Sequence, residues 1–420
     1  MLKIVKAAEF ENKTVDAGTA SPEVEAAVSE IIRTVRKDGD EALFRYTKKF
    51  DGVELEELRV PIWRIKKAVN ALKPEILDVI KAAAKNIIAF HKKQLNRGFE
   101  MSPEDGITLG QRVLPLDSAG IYVPGGTASY PSSVLMNAIP AKLAGVKKIV
   151  MVTPPGEGER FDTVLATAYI AGVDEVYTVG GAQAIAALAY GTESIPRVDK
   201  ITGPGNIFVA TAKKQISGTV AIDMIAGPSE ICVVADESAK PAFIAADMLS
   251  QAEHDENASA ILVTTSEKIA NEVNTELSLQ LEVLPRKDIA RVSLENNGII
   301  VLAGSIEEAC EVSNEIAPEH LELAVDEPFD ILPLIRHAGS VFLGHFTCEA
   351  LGDYFGGPNH VLPTSGTARF SSPLGVEDFV KRSQYIYYDK AAMKKAADKV
   401  ADFAYSEDLT AHARSAEMRG

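Results

Sequence analysis

The segment "LSQAEHDENASA", residues 249–260, sets Gln251 and His254 three apart at the end of an apolar helical pattern, so both side chains leave one face of one turn. An amide oxygen and an imidazole on one face suit either a borderline metal ion or the plain end of a helix. Further titratable groups widen the choice. Glu319 and His320 are adjacent in "APEHLEL", Asp353 lies in "EALGDYFGGPNH", read as a glycine-rich loop, and His412 follows Glu407 by five near the chain end. Two imidazoles, a carboxylate and an amide oxygen would together take Zn²⁺ or Mn²⁺. The Glu319–His320 pair offers separate chemistry. At a loop-to-strand junction both side chains can reach one cleft, supplying a proton acceptor and a water-activating carboxylate, the plain alternative being a salt-bridged pair that opens a strand. Spacing does not decide, since neither H-E-x-x-H nor a paired-cysteine pattern occurs.

The other histidines read as structural or stay open. His91 falls beside Lys92 and Lys93, the flank of a helix expected to face water, and His337 lies near an expected helix end that would favour its charge. His345 closes an apolar strand, and His360 sits in "GPNHVLPT", a loop bounded by glycine and proline. Cys232, Cys310 and Cys348 are odd in number and far apart, which argues against both a disulfide framework and a thiolate zinc site. Cys232, inside "ICVVAD", reads as a small buried hydrophobe with nothing near it in sequence to lower its pKa.

These groups need elements to position them. In the first hundred residues the pattern is mostly helical: "SPEVEAAVSEIIRTVRK" opens with Ser21 as N-cap and Pro22 in the first turn, and "EILDVIKAAAKNIIAFHKKQ" repeats the amphipathic stripe. From about residue 116, short apolar strands alternate with helices through "AGIYV", "KKIVMVT", "DEVYTVG" and "VDKIT", and a second run begins at "ICVVAD". Such repetition implies an α/β fold of two tandem, incomplete Rossmann-like parallel-sheet domains, with small helical appendages at both termini. The stretch from "VEDFVKRSQ" onward reads as a short helical tail. In open sheets of this kind ligands sit beyond the carboxyl ends of strands, so the loops that follow strands should carry the chemistry. Three of them, "YVPGGTASYPSS", "GGAQ" and "TGPGN", are glycine-rich, suited to a phosphate or dinucleotide approaching backbone amides at helix starts.

The chain has 420 residues, too many for one ordinary core. Its 59 acidic side chains exceed its 43 basic ones for a net charge of −16, and no dense basic stripe offsets this, so nucleic acid is not an expected partner. Charges interrupt "MLKIVKAAEFENK" every few positions, leaving no signal-peptide core or spanning helix there; a cytoplasmic protein without a membrane partner is expected.

The motifs "GIYVPGGTASYPSSVLMNAIPAKLAGV", "GGAQAIAALAYGT", "ITGPGNIFV", "DMIAGPSE", "LSQAEHD", "APEHLEL" and "GDYFGGPNHVLPTSGTARFSSPL" occur in the order found in histidinol dehydrogenases, and on them the chain resembles that family over nearly its whole length. The resemblance implies an oxidoreductase that takes L-histidinol to L-histidine through the aldehyde, reducing two NAD, in a zinc-dependent homodimer. It implies Gln251, His254, Asp353 and His412 as zinc ligands, one zinc per subunit, with His412 and Glu407 donated across the dimer. Glu319 and His320 match the catalytic pair. Substrate contacts are implied for Ser229, Gln251, His254, His320, Asp353, Glu407 and His412, and NAD contacts for Tyr122, Gln183 and Asn206. The domain division expected with it is an arm over 1–20, a first α/β domain of 21–115 with 231–374 carrying the metal and catalytic loops, a second of 116–230 on the NAD side, and a tail over 375–420. Without the resemblance, a zinc hydrolase with the same ligands and a two-lobed binding protein would be rival readings.

Overall fold

The computed structural model describes residues 2–12, 20–125 and 130–420, so residues 13–19 of the amino-terminal arm and 126–129 of the first glycine-rich loop lie outside the description. Strand β1 (Lys3–Lys6) is followed by helices α1 (Pro22–Asp51), α2 (Ile62–Ala71) and α3 (Pro74–His91), then by strands β2 (Phe99–Met101) and β3 (Ile107–Pro115). The first α/β unit runs β4 (Ser118–Tyr122), α4 (Pro131–Ala144), β5 (Lys148–Thr153), α5 (Gly158–Ala171), β6 (Glu175–Thr178), α6 (Gly181–Tyr190), β7 (Lys200–Thr202), α7 (Ile207–Ile216) and β8 (Ala221–Ile222). The second runs β9 (Glu230–Ala235), α8 (Pro241–Ala252), β10 (Ser259–Thr264), α9 (Glu267–Leu281), α10 (Lys287–Asn297), β11 (Gly298–Leu302), α11 (Ile306–Ile316), β12 (His320–Ala324), α12 (Pro328–Ile331), β13 (Ser340–Leu343) and α13 (Glu349–Tyr354). Strand β14 (Val380–Tyr388) and helices α14 (Lys390–Ser406) and α15 (Thr410–Glu417) complete the chain.

Both units are parallel sheets of one plan. The first has the order β6-β5-β4-β7-β8, the second β11-β10-β9-β12-β13, so in each the first strand is central and the chain reverses direction beside it. Two-residue periodicity builds the layers: Ile149 and Met151 of β5 face α4 and α5, while Val150 and Val152 face the opposite core with α6. Likewise Ile231 and Val233 of β9 join the layer under α8 and α9, and Cys232 with Val234 the layer under α11. Cys232 is thus a core residue, as its sequence suggested.

Three expectations need correction. Residues 22–91 were grouped with the second sheet, yet α1 packs on α6 and α7, α2 on α5, and α3 on α4, all on the five-stranded sheet. The faces of the six-stranded sheet are already covered by its own helices, so the apolar stripes of α1–α3 find their partner elsewhere. Conversely, β1 from the arm adds a parallel strand to β11. The tail is not wholly helical, because β14 pairs antiparallel with β3 over nine residues, from Val380 opposite Pro115 to Tyr388 opposite Ile107. Its side chains are exposed or half-buried throughout, which erases the alternation that would have marked a strand. Among the described residues no helix is long and apolar enough to cross a membrane.

Candidate active site

The catalytic pair expected from sequence stands at the amino end of β12, not beyond its carboxyl end, which overturns the strand-end expectation for this sheet. The neighbouring amino end of β9 holds both residues through one backbone: the Glu230 N–H donates to Glu319 Oε2 at 3.0 Å, and His320 Nδ1 donates to the Glu230 carbonyl at 3.0 Å. A carbonyl only accepts, so the His320 proton resides on Nδ1 and Nε2 keeps its lone pair. That Nε2 is buried with no hydrogen-bond partner. It lies 3.7 Å from Glu349 Oε1 and 4.0 Å from Asp353 Oδ1.

Helix α13 positions both carboxylates. Glu349 and Asp353 are four apart and share one face. Ser250 Oγ donates to Glu349 Oε2 at 3.2 Å, and the Glu349 N–H donates to Glu322 Oε1 at 2.9 Å. Asp353 therefore sits in a short helix rather than the glycine-rich loop expected, with His360 Nδ1 3.5 Å from its Oδ1. Donor atoms of His320, Glu349 and Asp353 lie within 4.8 Å of one another. From the end of α8, Gln251 is buried with its Oε1 unpartnered, and His254, exposed just beyond, is close enough for its charge to act on His320 and Asp353. Glu407 and His412 are exposed on the tail in this chain. Ser229 precedes β9, its carbonyl accepting from Ser259 N–H at 3.0 Å.

Burial governs the ionisation of this cluster. It pushes the His320 imidazole down to about 4, against the pull of Asp353, so the ring is neutral. It holds the Glu319 carboxyl well above the usual range, with Glu230, Asp353 and Glu349 adding to the effect, and lifts Glu349 to about 8. For Asp353 burial also works upward but is outweighed by His360, His320 and His254, which keep it below its ordinary value. One firm anion among three acids, three unpartnered buried donors and nearby imidazoles make a donor set that fits a borderline cation such as zinc.

The residues expected to touch NAD gather at the carboxyl ends of the other sheet, where its strand order reverses between β4 and β7. Tyr122 ends β4, and its buried hydroxyl accepts from Gly181 N–H at 3.1 Å. Gln183, in the first turn of α6, is buried with Oε1 unpartnered. Asn206 caps α7, its Oδ1 accepting from the N–H groups of Phe208 at 3.1 Å and Val209 at 3.2 Å. Gly203 has φ 114°, and a Cβ there would collide with the Tyr122 carbonyl, so the "TGPGN" loop can lie directly on β4 only with glycine. A nucleotide fits such a cleft, which offers two helix amino termini and an orphaned amide oxygen.

A family model described as histidinol dehydrogenase matches residues 15–420. The chain belongs to the histidinol dehydrogenase family. It is 57% identical over 404 residues to the histidinol dehydrogenase of Listeria innocua, covering 96% of this chain and 95% of that one, and 56% identical over 397 residues to that of Streptococcus mutans, covering 94% and 93%. The crystal structure of histidinol dehydrogenase from Elizabethkingia anophelis superposes with a TM-score of 0.94 at 38% identity, covering 100% of this chain and 98% of that one. A betaine aldehyde dehydrogenase from Staphylococcus aureus, 12% identical with a TM-score of 0.51 over 90% of this chain and 85% of its own, shares the fold alone. Membership of the family makes the chain an oxidoreductase of histidine biosynthesis, and the hydrolase and binding-protein readings give way.

In this member of the family the sequence reading missed two acids and misjudged one histidine. Glu349 was legible in principle, standing four residues before Asp353 in "CEALGD". Glu230 carried no signal, because the groups that touch the pair are its backbone N–H and carbonyl. His91 is fully buried rather than solvated: Nδ1 lies 2.7 Å from Gln94 Oε1, and Nε2 lies 3.4 Å from Asn359 Nδ2, next to His360. Its lysine neighbours face water from the turn that follows the helix, and they do not describe the face His91 occupies.

Proposed function

We propose that the protein is a cytoplasmic, zinc-dependent and NAD-linked homodimeric dehydrogenase that oxidises L-histidinol to L-histidine through bound L-histidinaldehyde, reducing two NAD per turnover. The observation that carries the reading is the buried, unprotonated and unpartnered Nε2 of His320, 3.7 Å from Glu349 Oε1 and 4.0 Å from Asp353 Oδ1, with the Gln251 side-chain oxygen likewise buried and unpartnered. Gln251, His254, Asp353 and a His412 donated by the second subunit would hold one zinc per subunit. The exposed apolar side chains of the tail, Phe403, Leu409 and Met418 among them, support a partner covering it. Zinc, when bound, supplies a template that fixes the amine and imidazole of the substrate. NAD supplies the hydride acceptor, for which Tyr122, Gln183 and Asn206 are the proposed contacts.

The chain's own residues move the protons. His320 takes the hydroxyl proton at Nε2 as the carbinol carbon is oxidised. His320 releases that proton to solvent, Glu319 activates the water that hydrates the aldehyde, and the again neutral His320 takes a proton from the hydrate in the second oxidation. A carboxylate whose conjugate acid is raised by burial takes a proton from water more readily than an ordinary one. Ser229 and Glu407 complete the proposed substrate contacts. Cys232 takes no part, since its thiol is buried and pushed up to about 12 by that burial. Zinc-loaded protein should form two NADH for each histidinol consumed and lose that activity on chelation; metal-replete protein that forms no NADH from histidinol would sink the proposal.

A further inference from the structure

We propose that Glu230 is a positioning residue for the catalytic pair, its carboxyl side chain anchoring the stretch of backbone that holds both Glu319 and His320. The inference rests on the reading of that pair as catalytic. Glu230 is the first residue of β9, where its N–H holds the Glu319 carboxylate and its carbonyl fixes the His320 proton on Nδ1. The side chain reaches the other way. Its Oε1 accepts from the Ser365 N–H at 3.1 Å, in a turn where Ser365 takes the left-handed conformation at φ 54°.

That turn is itself fixed. Thr364 Oγ1 accepts from Gly227 N–H at 2.6 Å, and the Thr364 carbonyl accepts from Thr367 N–H at 3.1 Å and Thr367 Oγ1 at 2.7 Å. A Cβ on Gly227 would meet Ser365 Oγ, so glycine is what lets the two segments close on each other. Residues 227–230 are thus tied to the 364–367 turn at two points, and the tie nearer the catalytic pair is the Glu230 carboxyl. A left-handed, non-glycine residue kept beside a catalytic pair is strain that the surroundings must hold in place. The second oxygen, Oε2, is shielded from solvent without a hydrogen-bond partner, an environment that suits a neutral carboxyl. Burial accordingly lifts the group to about 7.

The consequence is chemical. If the anchor is lost, the Glu230 carbonyl no longer fixes the proton of His320 on Nδ1, and a ring that carries its proton on Nε2 cannot act as the base. Supporting partners of this kind are worth about 10–100-fold in activity.

Glu230→Gln keeps the acceptor for Ser365 and puts an amide N–H₂ where the carboxyl hydroxyl lies. It should retain kcat within about twofold, whereas Glu230→Ala should lose about 10–100-fold in kcat with KM for histidinol and NAD within about threefold. Long-range proton–nitrogen spectra of zinc-loaded protein carrying ¹⁵N-histidine should place the His320 proton on Nδ1 in the parent and in Glu230→Gln, and distribute it in Glu230→Ala. The proposal is overturned by an alanine variant that keeps kcat within about threefold, by a glutamine variant as impaired as the alanine one, or by an unchanged tautomer. Should Glu230→Ala not fold, Glu230→Asp, one methylene short of Ser365, replaces it with the same expectations. His320→Ala, made in parallel, assigns the signal and separates the two readings. If it leaves histidinol oxidation intact the catalytic assignment fails, while the spectra judge the anchor on their own.

Discussion

A single residue's backbone holds Glu319 by its N–H and His320 by its carbonyl, and the proposed division of work follows from it: the first would activate water, the second would keep a lone pair free for a proton. Glu319→Gln should therefore leave the first oxidation nearly intact and slow the second. NADH formation from histidinaldehyde should fall about 10²–10⁴-fold, and a variant equally fast on the aldehyde would remove the water-activating role. Cys232→Ala should keep kcat within about twofold, since the thiol is buried in the apolar layer under α11; a large loss in steady-state assays would reinstate a thiol mechanism. His91 gives a pH prediction. Its pKa is lowered, chiefly by burial, so the unfolded chain binds its proton more readily and stability falls as pH drops from about 6.5 towards the lower folded value. His91→Gln should flatten the acid side of the stability curve, by at most about 1.4 kcal/mol per pH unit, when parent and variant are compared by urea unfolding. At this scale the long motifs around Glu319, His320, Gln251 and Asp353 drew attention to them in the sequence, and the structure draws His320 and Asp353 together. Glu230 stayed hidden because it meets the pair through its N–H and carbonyl, while its carboxyl reaches a turn 135 residues away that no local spacing announces.

Among the elements, what was legible is what depends on local period. The βα alternation and the two cores followed from strands whose successive residues face different helices. An apolar stripe on α1 or α3 announces burial without naming the sheet that provides it, and the attachment of both to the five-stranded sheet had to come from the structure. The "TGPGN" loop shows a longer-range device. Lys213 on α7 and Asp223 after β8 form a fully buried ion pair, and together they grip Gly203: Lys213 Nζ donates to its carbonyl at 3.1 Å, and its N–H donates to Asp223 Oδ2 at 2.8 Å. Removing one partner strands the other charge in the core. Asp223→Ala should cost about 3–5 kcal/mol in denaturant unfolding. Where that variant still folds, KM for NAD should rise more than KM for histidinol, because the loop it loosens lies beside Tyr122 and Asn206. Equal effects on both constants would make the pair a fold element only.

On the scale of the whole molecule, the dimer proposal gives a use to a tail whose histidine stands exposed in this chain. The tail is built on the β14–β3 ribbon and the α14–α15 pair, whose shared core is as small as Ala401, Ala404 and Ala413. It carries His412 and Glu407 exposed, along with Ile386, Phe403 and Met418. An apolar surface of this kind on a module with so little core of its own is stabilised best by a second subunit, and a tail that crosses to it brings its histidine to the other chain's cluster. The consequence is testable by complementation. His412→Ala subunits keep His320 but lack the donated ligand, and His320→Ala subunits keep the ligand but lack the base. Each homodimer should be inactive. After dissociation and random reassociation about half the dimers are mixed, and each holds one complete site and one doubly defective site, so activity should return to about a quarter of the parent value. A tail that folds back on its own chain would give mixed dimers in which both sites carry one defect, and no activity would return.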